Sequence, residues 1–322
     1  MAGGQERVLR RRIRSIKSTQ KITKAMELIA ASQIVRAQAR IAAARPYQQG
    51  MARIVLETAQ GDPVAAGRLL GAPDEVHAVA LLAIVADRGL CGGYNSNVLR
   101  ATERFVRART AAGVDVRLFT VGKKAQSYFR FRNQPVERDF AGFSERPSFT
   151  DAREVAAAVT APFLNGEVDE VRVLSTRFLS AGTQRVEERQ LLPLPDPRSG
   201  EAPEWEHEPA LSAPDDADGP LGYTEFEPEA AELLETLAPR AAETAVFGAL
   251  LEGAAAEVTA RQRAMAAATE NAGELITKYT RIMNRARQDS ITTEIMEIVG
   301  GAEALRAGSE EEAGGIVIEV RA

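Results

Sequence analysis

Cysteine is nearly missing: Cys91 is the single one in 322 residues. That excludes an internal disulfide framework and any Cys-rich zinc site. Histidine is almost as scarce, with His77 and His207 far apart in the chain, so a His-based metal site or catalytic triad is poorly supplied. Aromatic residues make up 5%. No apolar run reaches the roughly 18 residues that a membrane span needs. The basic N-terminus lacks the apolar centre of a signal peptide, because Arg and Lys interrupt it every few positions. A soluble chain on the cytoplasmic side is the expectation. What is abundant is Ala and Arg, with only six lysines among forty basic residues. A chain rich in Ala, Glu, Arg and Leu leans towards long helices. The hydrophobic fraction of 45% supports a sizeable core, and the length leaves room for two structural units.

The net charge of −5 hides an asymmetry. Residues 1–45 carry eleven basic side chains against Glu6 and Glu27, whereas residues 196–232 carry twelve acidic side chains against Arg198 alone. Such polarity fits opposite regions that meet different partners or neutralise each other.

Residues 5–60 read as one long helix. Ile13, Ile16, Ile22, Met26, Ile29, Gln33 and Val35 form a narrow apolar stripe among charged positions, too narrow to pack a globular core but suited to a seam against one other helix. Pro46 removes a backbone donor and is a place for a bend or break. Residues 229–305 have the same character, with Pro239 inside and Gly300-Gly301 as a stop signal. From Ala241 to Ile298 is 58 residues, or about 87 Å of helix at 1.5 Å per residue.

Between these helices the texture changes. Val76–Ala86 is a continuous apolar run that reads as a strand buried on both faces. Further strands are expected at Val114–Val121 and Glu170–Leu179, with helices at Asn95–Ala112, Lys123–Phe131 and residues 151–164. Strands alternating with helices indicate βαβ units and a parallel sheet. Pro193–Pro228 is acidic and Pro-rich, and reads as a loop or disordered insert. The expected organisation is an antiparallel coiled coil of the N-terminal (1–60) and C-terminal (229–305) helices. A Rossmann-like α/β domain at 74–228, with an insert at about 194–222, sits between them, and a tail follows at 306–322.

Catalytic signals are weak. The loop Asp87-Arg88-Gly89-Leu90-Cys91-Gly92-Gly93-Tyr94-Asn95 follows a buried strand and opens a helix, where α/β folds often hold phosphate. Its spacing is not G-x-G-x-x-G, and Gly122-Lys123 is not a P-loop because Arg117 stands five positions before Gly122. A tight turn that needs glycine is the simpler reading. Cys91 at the helix start reads as a small core residue rather than an activated thiolate. The basic N-terminal helix has no interleaved aromatics, which argues against a nucleic-acid grip.

Three segments closely resemble the gamma subunit of F-type ATP synthases. They are RIRSIKSTQKITKAMELIAAS (Arg12–Ser32) followed by Arg45-Pro46-Tyr47, then DRGLCGGYN (Asp87–Asn95), and finally Ala267–Ala302 with AATENAGELI, YTRIMNRARQDSITTEI and EIVGGA. Their order and separation match over most of residues 1–305. The resemblance implies a non-catalytic central rotor stalk of a proton-translocating ATP synthase. Its paired helices would enter the ring of alpha and beta subunits, and its α/β domain would stand with the epsilon subunit on the membrane c ring. Catalysis would belong to beta, and this chain would need no cofactor and no metal. Association with the cell membrane would be peripheral, on the cytoplasmic face.

By motif position, the resemblance places Lys21, Lys24 and Met26 on the N-terminal helix, and Arg261, Arg287, Gln288, Thr292 and Glu294 on the C-terminal helix, against the beta subunit. Tyr223, Glu225 and Glu227 fall where the family approaches the c ring and epsilon. Two departures stand out: a tail beyond Leu305, to which the residues assign no role, and an enlarged acidic insert, which is expected to contact the c ring, epsilon or the catalytic head and so bias rotation and restrain hydrolysis. Two other readings stay open on the residues. One is a nucleotide-binding enzyme that uses the Asp87–Asn95 loop, and the other is a basic coiled-coil nucleic-acid binder, which salt-sensitive DNA retention would reveal.

Overall fold

The computed structural model describes residues 2–61, 67–69, 73, 75–193 and 227–313. The chain resolves into two compact units, one formed by Met1–Met26 with Met265–Ala322, the other by Glu27–Ala264. The described elements are α1 (Ala2–Gly61), a short 3₁₀ turn (Gly67–Leu69), β1 (Ala78–Ile84), α2 (Tyr94–Ala111), β2 (Asp115–Val121), α3 (Lys123–Phe131), β3 (Arg138–Phe140), α4 (Phe149–Leu164), β4 (Glu170–Phe178), β5 (Gln184–Leu192) and α5 (Ala230–Ala313).

Helix α1 passes through Pro46 without ending, and α5 passes through Pro239. Each proline removes one backbone donor, a local loss that long helices packed along one face absorb. The buried face of α1 follows a heptad: Ile13, Ile16, Gln20, Thr23, Glu27, Ala30, Ile34, Ala37, Ile41, Ala44, Gln48, Met51, Val55 and Thr58 are all buried or half-buried. Alternating steps of three and four residues are the coiled-coil seam. The seam differs from the apolar stripe read from sequence, because Ile22, Ile29 and Val35 stand 58%, 58% and 67% exposed. Small and polar residues occupy the seam where the larger aliphatics were expected, since two closely packed helices favour small side chains at their contact.

In the first unit the two helix segments run antiparallel. The Arg12 guanidinium lies 5.2 Å from the Tyr279 ring centroid. Gln20 donates to the Thr269 carbonyl at 3.3 Å, and the Thr269 hydroxyl donates to the Thr23 hydroxyl at 2.8 Å. Partner numbers fall on α5 as they rise on α1. The seam of α5 passes through Met265, Ala272, Ile276, Tyr279, Met283, Ala286 and Ser290, after which every residue to Arg306 is exposed. The helix does not stop at Gly300-Gly301 but continues to Ala313. Two glycines each weaken a helix by about 1 kcal/mol without breaking it, and good helix formers (Ala302, Glu303, Ala304, Leu305) follow.

In the second unit a five-stranded sheet has the order β3-β2-β1-β4-β5. The pairs β1–β2, β1–β4 and β2–β3 are parallel, and β5 is an antiparallel edge on β4. The three parallel-strand segments read from sequence are present, whereas β3 and β5 were not foreseen. Central strand β1 is covered on both faces. Ala80, Leu82 and Ile84 pack with Val155, Val159 and Phe163 of α4 and with Val246 and Leu250 of α5. Val79, Leu81 and Ala83 pack with Val98 of α2 and with Ala125 and Phe129 of α3. The helical hairpin adds its own contacts in this unit, including Val55 and Ala59 against Leu234. At the end of β2, Gly122 has φ +100, and a Cβ there would lie 2.3 Å from the Val85 carbonyl oxygen.

Candidate partner surfaces and the buried charge cluster

The Asp87–Asn95 loop is a structural knot. Asp87 accepts backbone N–H groups from Lys123, Gly142 and Ser144 at 3.0, 2.9 and 3.1 Å. Burial works to raise its pKa, but these three donors prevail and hold it below the ordinary carboxylate value. Asn95 accepts from Ala86 N at 2.9 Å and donates to the Arg88 carbonyl at 3.2 Å. These bonds tie β1 to the start of α2 and to the loops after β2 and β3. Cys91 is 1% exposed. Burial first, then the Glu257 carboxylate, pushes its thiol pKa up, so it packs as a neutral side chain. Tyr94 is pushed up as well, by burial and then by Glu257.

Beneath this loop sits a cluster of buried charge. Glu257 is 0% exposed, and its Oε1 accepts from Arg261 Nη2 at 2.5 Å. Arg261 Nη1 lies 3.3 Å from Glu145 Oε1, and Arg88 lies 3.5 Å from the same oxygen. The Arg261 Nη1 contact lacks hydrogen-bond alignment, and Glu257 Oε2 makes no well-aligned hydrogen bond, although the Ser144 hydroxyl stands close enough to favour its charged form. Burial therefore raises the Glu257 pKa, with Arg261 opposing. The spacing Glu257-x₃-Arg261 reads in sequence as one more solvated helix pair, so nothing flagged the cluster as buried.

Residues named from the family resemblance occupy different settings. Lys21 and Lys24 are exposed on α1 and Met26 is half-buried. Arg287, Gln288, Thr292 and Glu294 are exposed on α5 in the same unit as Lys21, Lys24 and Met26. Arg261 belongs to the other unit and is 6% exposed, held by Glu257 and Glu145. Glu227 is exposed just before α5. Tyr223, Glu225 and the acidic insert lie outside the described residues. Around the exposed C-terminal positions stand Ile291, Ile295 and Ile298, 45%, 54% and 71% exposed. Among the described residues no group of three His, Cys, Asp or Glu could hold a metal ion, and no helix is long and apolar enough to cross a membrane.

Comparison with known proteins shows the family of the chain. The family model described as ATP synthase matches residues 5–305. A relative from Frankia casuarinae named ATP synthase gamma chain is 46% identical over 310 residues, covering 95% of this chain and 99% of that one. The chain belongs to the ATP synthase gamma-chain family. A second relative of that name, from Acidothermus cellulolyticus, is 46% identical over 313 residues, 96% of this chain and 100% of its own. In fold the chain matches a subunit of the Euglena gracilis mitochondrial ATP synthase with a TM-score of 0.64 at 19% identity, covering 99% of both chains. A chain of the Tetrahymena thermophila mitochondrial ATP synthase central stalk and c ring matches with a TM-score of 0.57 at 22% identity, over 77% of this chain and 99% of that one. Its function is accordingly that of a gamma subunit of an F-type ATP synthase, in the central stalk.

Proposed function

We propose that the chain couples proton flow through a membrane c ring to ATP synthesis on beta subunits by turning inside a ring of alpha and beta subunits. The observation that carries this is the bare C-terminal stretch of α5. From Ile291 to Arg306 no residue is buried, yet Ile291, Ile295 and Ile298 are aliphatic and spaced to share one helix face. Water gives such residues no reason to be there, whereas a collar of partner side chains does.

Catalysis then belongs to beta, and this chain supplies the asymmetry that makes three otherwise equal sites differ in turn. Lys21, Lys24 and Met26, with Arg287, Gln288, Thr292 and Glu294, form the surface offered to beta. Cations on a helix face steer towards acidic partner loops while adding modest affinity, which suits a contact that must be remade at each step. Arg261 serves the same coupling from within, because its guanidinium braces Glu257 and Glu145 instead of facing outwards. Tyr223, Glu225 and Glu227 face the c ring and the epsilon subunit. Attachment to the cell membrane is peripheral, on the cytoplasmic side, through the complex alone.

Gentle extraction of the tagged chain tests this reading. Three alpha and three beta subunits per copy, together with epsilon and c subunits, are expected. ATP turnover driven by the complex should fall when Gln288–Ala322 is removed. Recovery of the chain alone, or with nucleic acid, would overturn it.

A further inference from the structure

The loop between β3 and α4, residues 141–148, is restrained from the α/β domain at both of its ends. Asp87, just after β1, accepts from the Gly142 and Ser144 backbone N–H groups at 2.9 and 3.1 Å. The Ser144 hydroxyl accepts in turn from Asp87 N at 2.9 Å. At the other end Ser148 and Asp151 form a capping box that fixes where α4 begins. Between them Arg146 N donates to the Phe143 carbonyl at 3.0 Å, and Pro147 fixes its own φ and narrows the choices of Arg146. A loop held in this way acts as a stiff bracket.

Both long helices are attached to that bracket. Glu145 stands 3.3 Å from Arg261 Nη1 on α5, and this guanidinium is kept from swinging away because Glu257 holds its Nη2 at 2.5 Å. Arg40 on α1 donates to the Pro147 carbonyl. Phe149, the first residue of α4, meets Phe247 of α5 edge-on with ring centroids 5.6 Å apart. All these residues belong to the second unit, from which α1 and α5 both continue into the first. The helices also meet the domain through small apolar side chains. Ala242 and Ala249 lie in the core with the sheet, and Ala255 and Ala256 join Ala37 and Ile41 around Cys91 and Tyr94. Contacts of that kind adhere without direction, whereas charged and hydrogen-bonded pairs depend on distance and angle. Two more polar ties reach α5, from Arg189 to Glu252 at 3.3 Å and from Arg263 to the Ala181 carbonyl. The 141–148 loop differs from them in engaging α1 and α5 together.

We propose that the 141–148 loop keys the α/β domain to both shaft helices, with Glu145 and Arg40 as positioning residues that hold the angular register of the rotor. The proposal rests on the stalk reading given above. Torque applied to the α/β domain reaches the helices without slip only if the domain cannot turn around them, and the loop supplies that restraint away from any partner surface.

Two measurements test it. In the full chain, hydrogen exchange of the peptide covering residues 141–148 should speed up about fivefold in Glu145→Gln and in Arg40→Met, because each releases one attachment. In the assembled complex in vesicles, both variants should hydrolyse ATP at the wild-type rate but pump about twofold fewer protons per ATP. Glu145→Asp, which keeps the charge, should restore more than half of the lost pumping, and Glu154→Gln, an exposed carboxylate on α4, should pump as wild type does. Unchanged exchange in both variants would overturn the proposal, as would wild-type pumping, or hydrolysis that falls in step with pumping. If Glu145→Gln is not recovered with its partner subunits, Arg40→Met alone decides by the same criteria. Faster exchange in the variants, beside a wild-type complex that never pumps, would contradict the stalk reading and leave the attachment of the loop to both helices standing.

Discussion

Arg261 stands one helical turn beyond Glu257 and closes a 2.5 Å ion pair on a carboxylate with no exposure. Glu145, from the loop before α4, meets the same guanidinium at 3.3 Å. A buried pair contributes little net stability compared with a well-packed apolar replacement, but removing one partner strands the other and destabilises by about 3–5 kcal/mol. Arg261→Ala should therefore lower unfolding free energy by that amount in denaturant titration. The double substitution Glu257→Gln with Arg261→Met should recover most of the loss. Equal destabilisation by single and double variants would show that the pair does not act as a unit.

Asp87 offers a pH test. Its folded pKa lies below the ordinary value, so its contribution is present above the unfolded value of about 3.9 and is lost as pH falls through the lower folded one. Acid unfolding of the wild type should steepen below about pH 4, and Asp87→Asn should flatten that limb. Asp87→Ala should cost about 2 kcal/mol at neutral pH by stranding three backbone donors.

Gly122→Ala is the sharpest steric prediction. The new Cβ would press to 2.3 Å on the Val85 carbonyl, a backbone atom that no rotamer change can move aside, and the φ of +100 is unfavourable for any L side chain. The variant should lose at least about 3 kcal/mol or fail to fold. Near-normal thermal unfolding would contradict the close approach of β1 and the β2–α3 turn.

Cys91 should be silent to alkylation. Its thiol is buried and its pKa is raised, so iodoacetamide at pH 8 should leave the native chain unmodified and label it only after denaturation. Rapid native labelling would mean that the Asp87–Asn95 loop opens readily.

Much of this architecture is legible in the sequence because it rests on periodicity. The apolar run of β1, the alternation of strands and helices, and the two uninterrupted helices each have a local signature. β5 escaped notice because Gln184–Gln190 is polar or charged at every position but Val186, as an edge strand is. At three residues, β3 has no pattern to detect. The coiled-coil seam was misplaced for a physical reason: hydrophobicity alone selects Ile22, Ile29 and Val35, whereas the seam uses Gln20, Thr23 and Ala30, whose small size or hydrogen bonds fit the helix contact. Burial of Glu257 and Arg261 depends on what α5 packs against, so no local feature announces it.

Rotation of this chain inside its complex is the central claim, and single-molecule observation tests it most directly. Cys91 is buried, so an exposed cysteine introduced on α2 by Arg107→Cys gives one reactive site for a bead, with the alpha and beta ring fixed to glass. The account predicts that ATP drives the bead through full turns in one direction and that removing Gln288–Ala322 weakens or abolishes the torque. A bead that only jitters while the same heads hydrolyse ATP would contradict it.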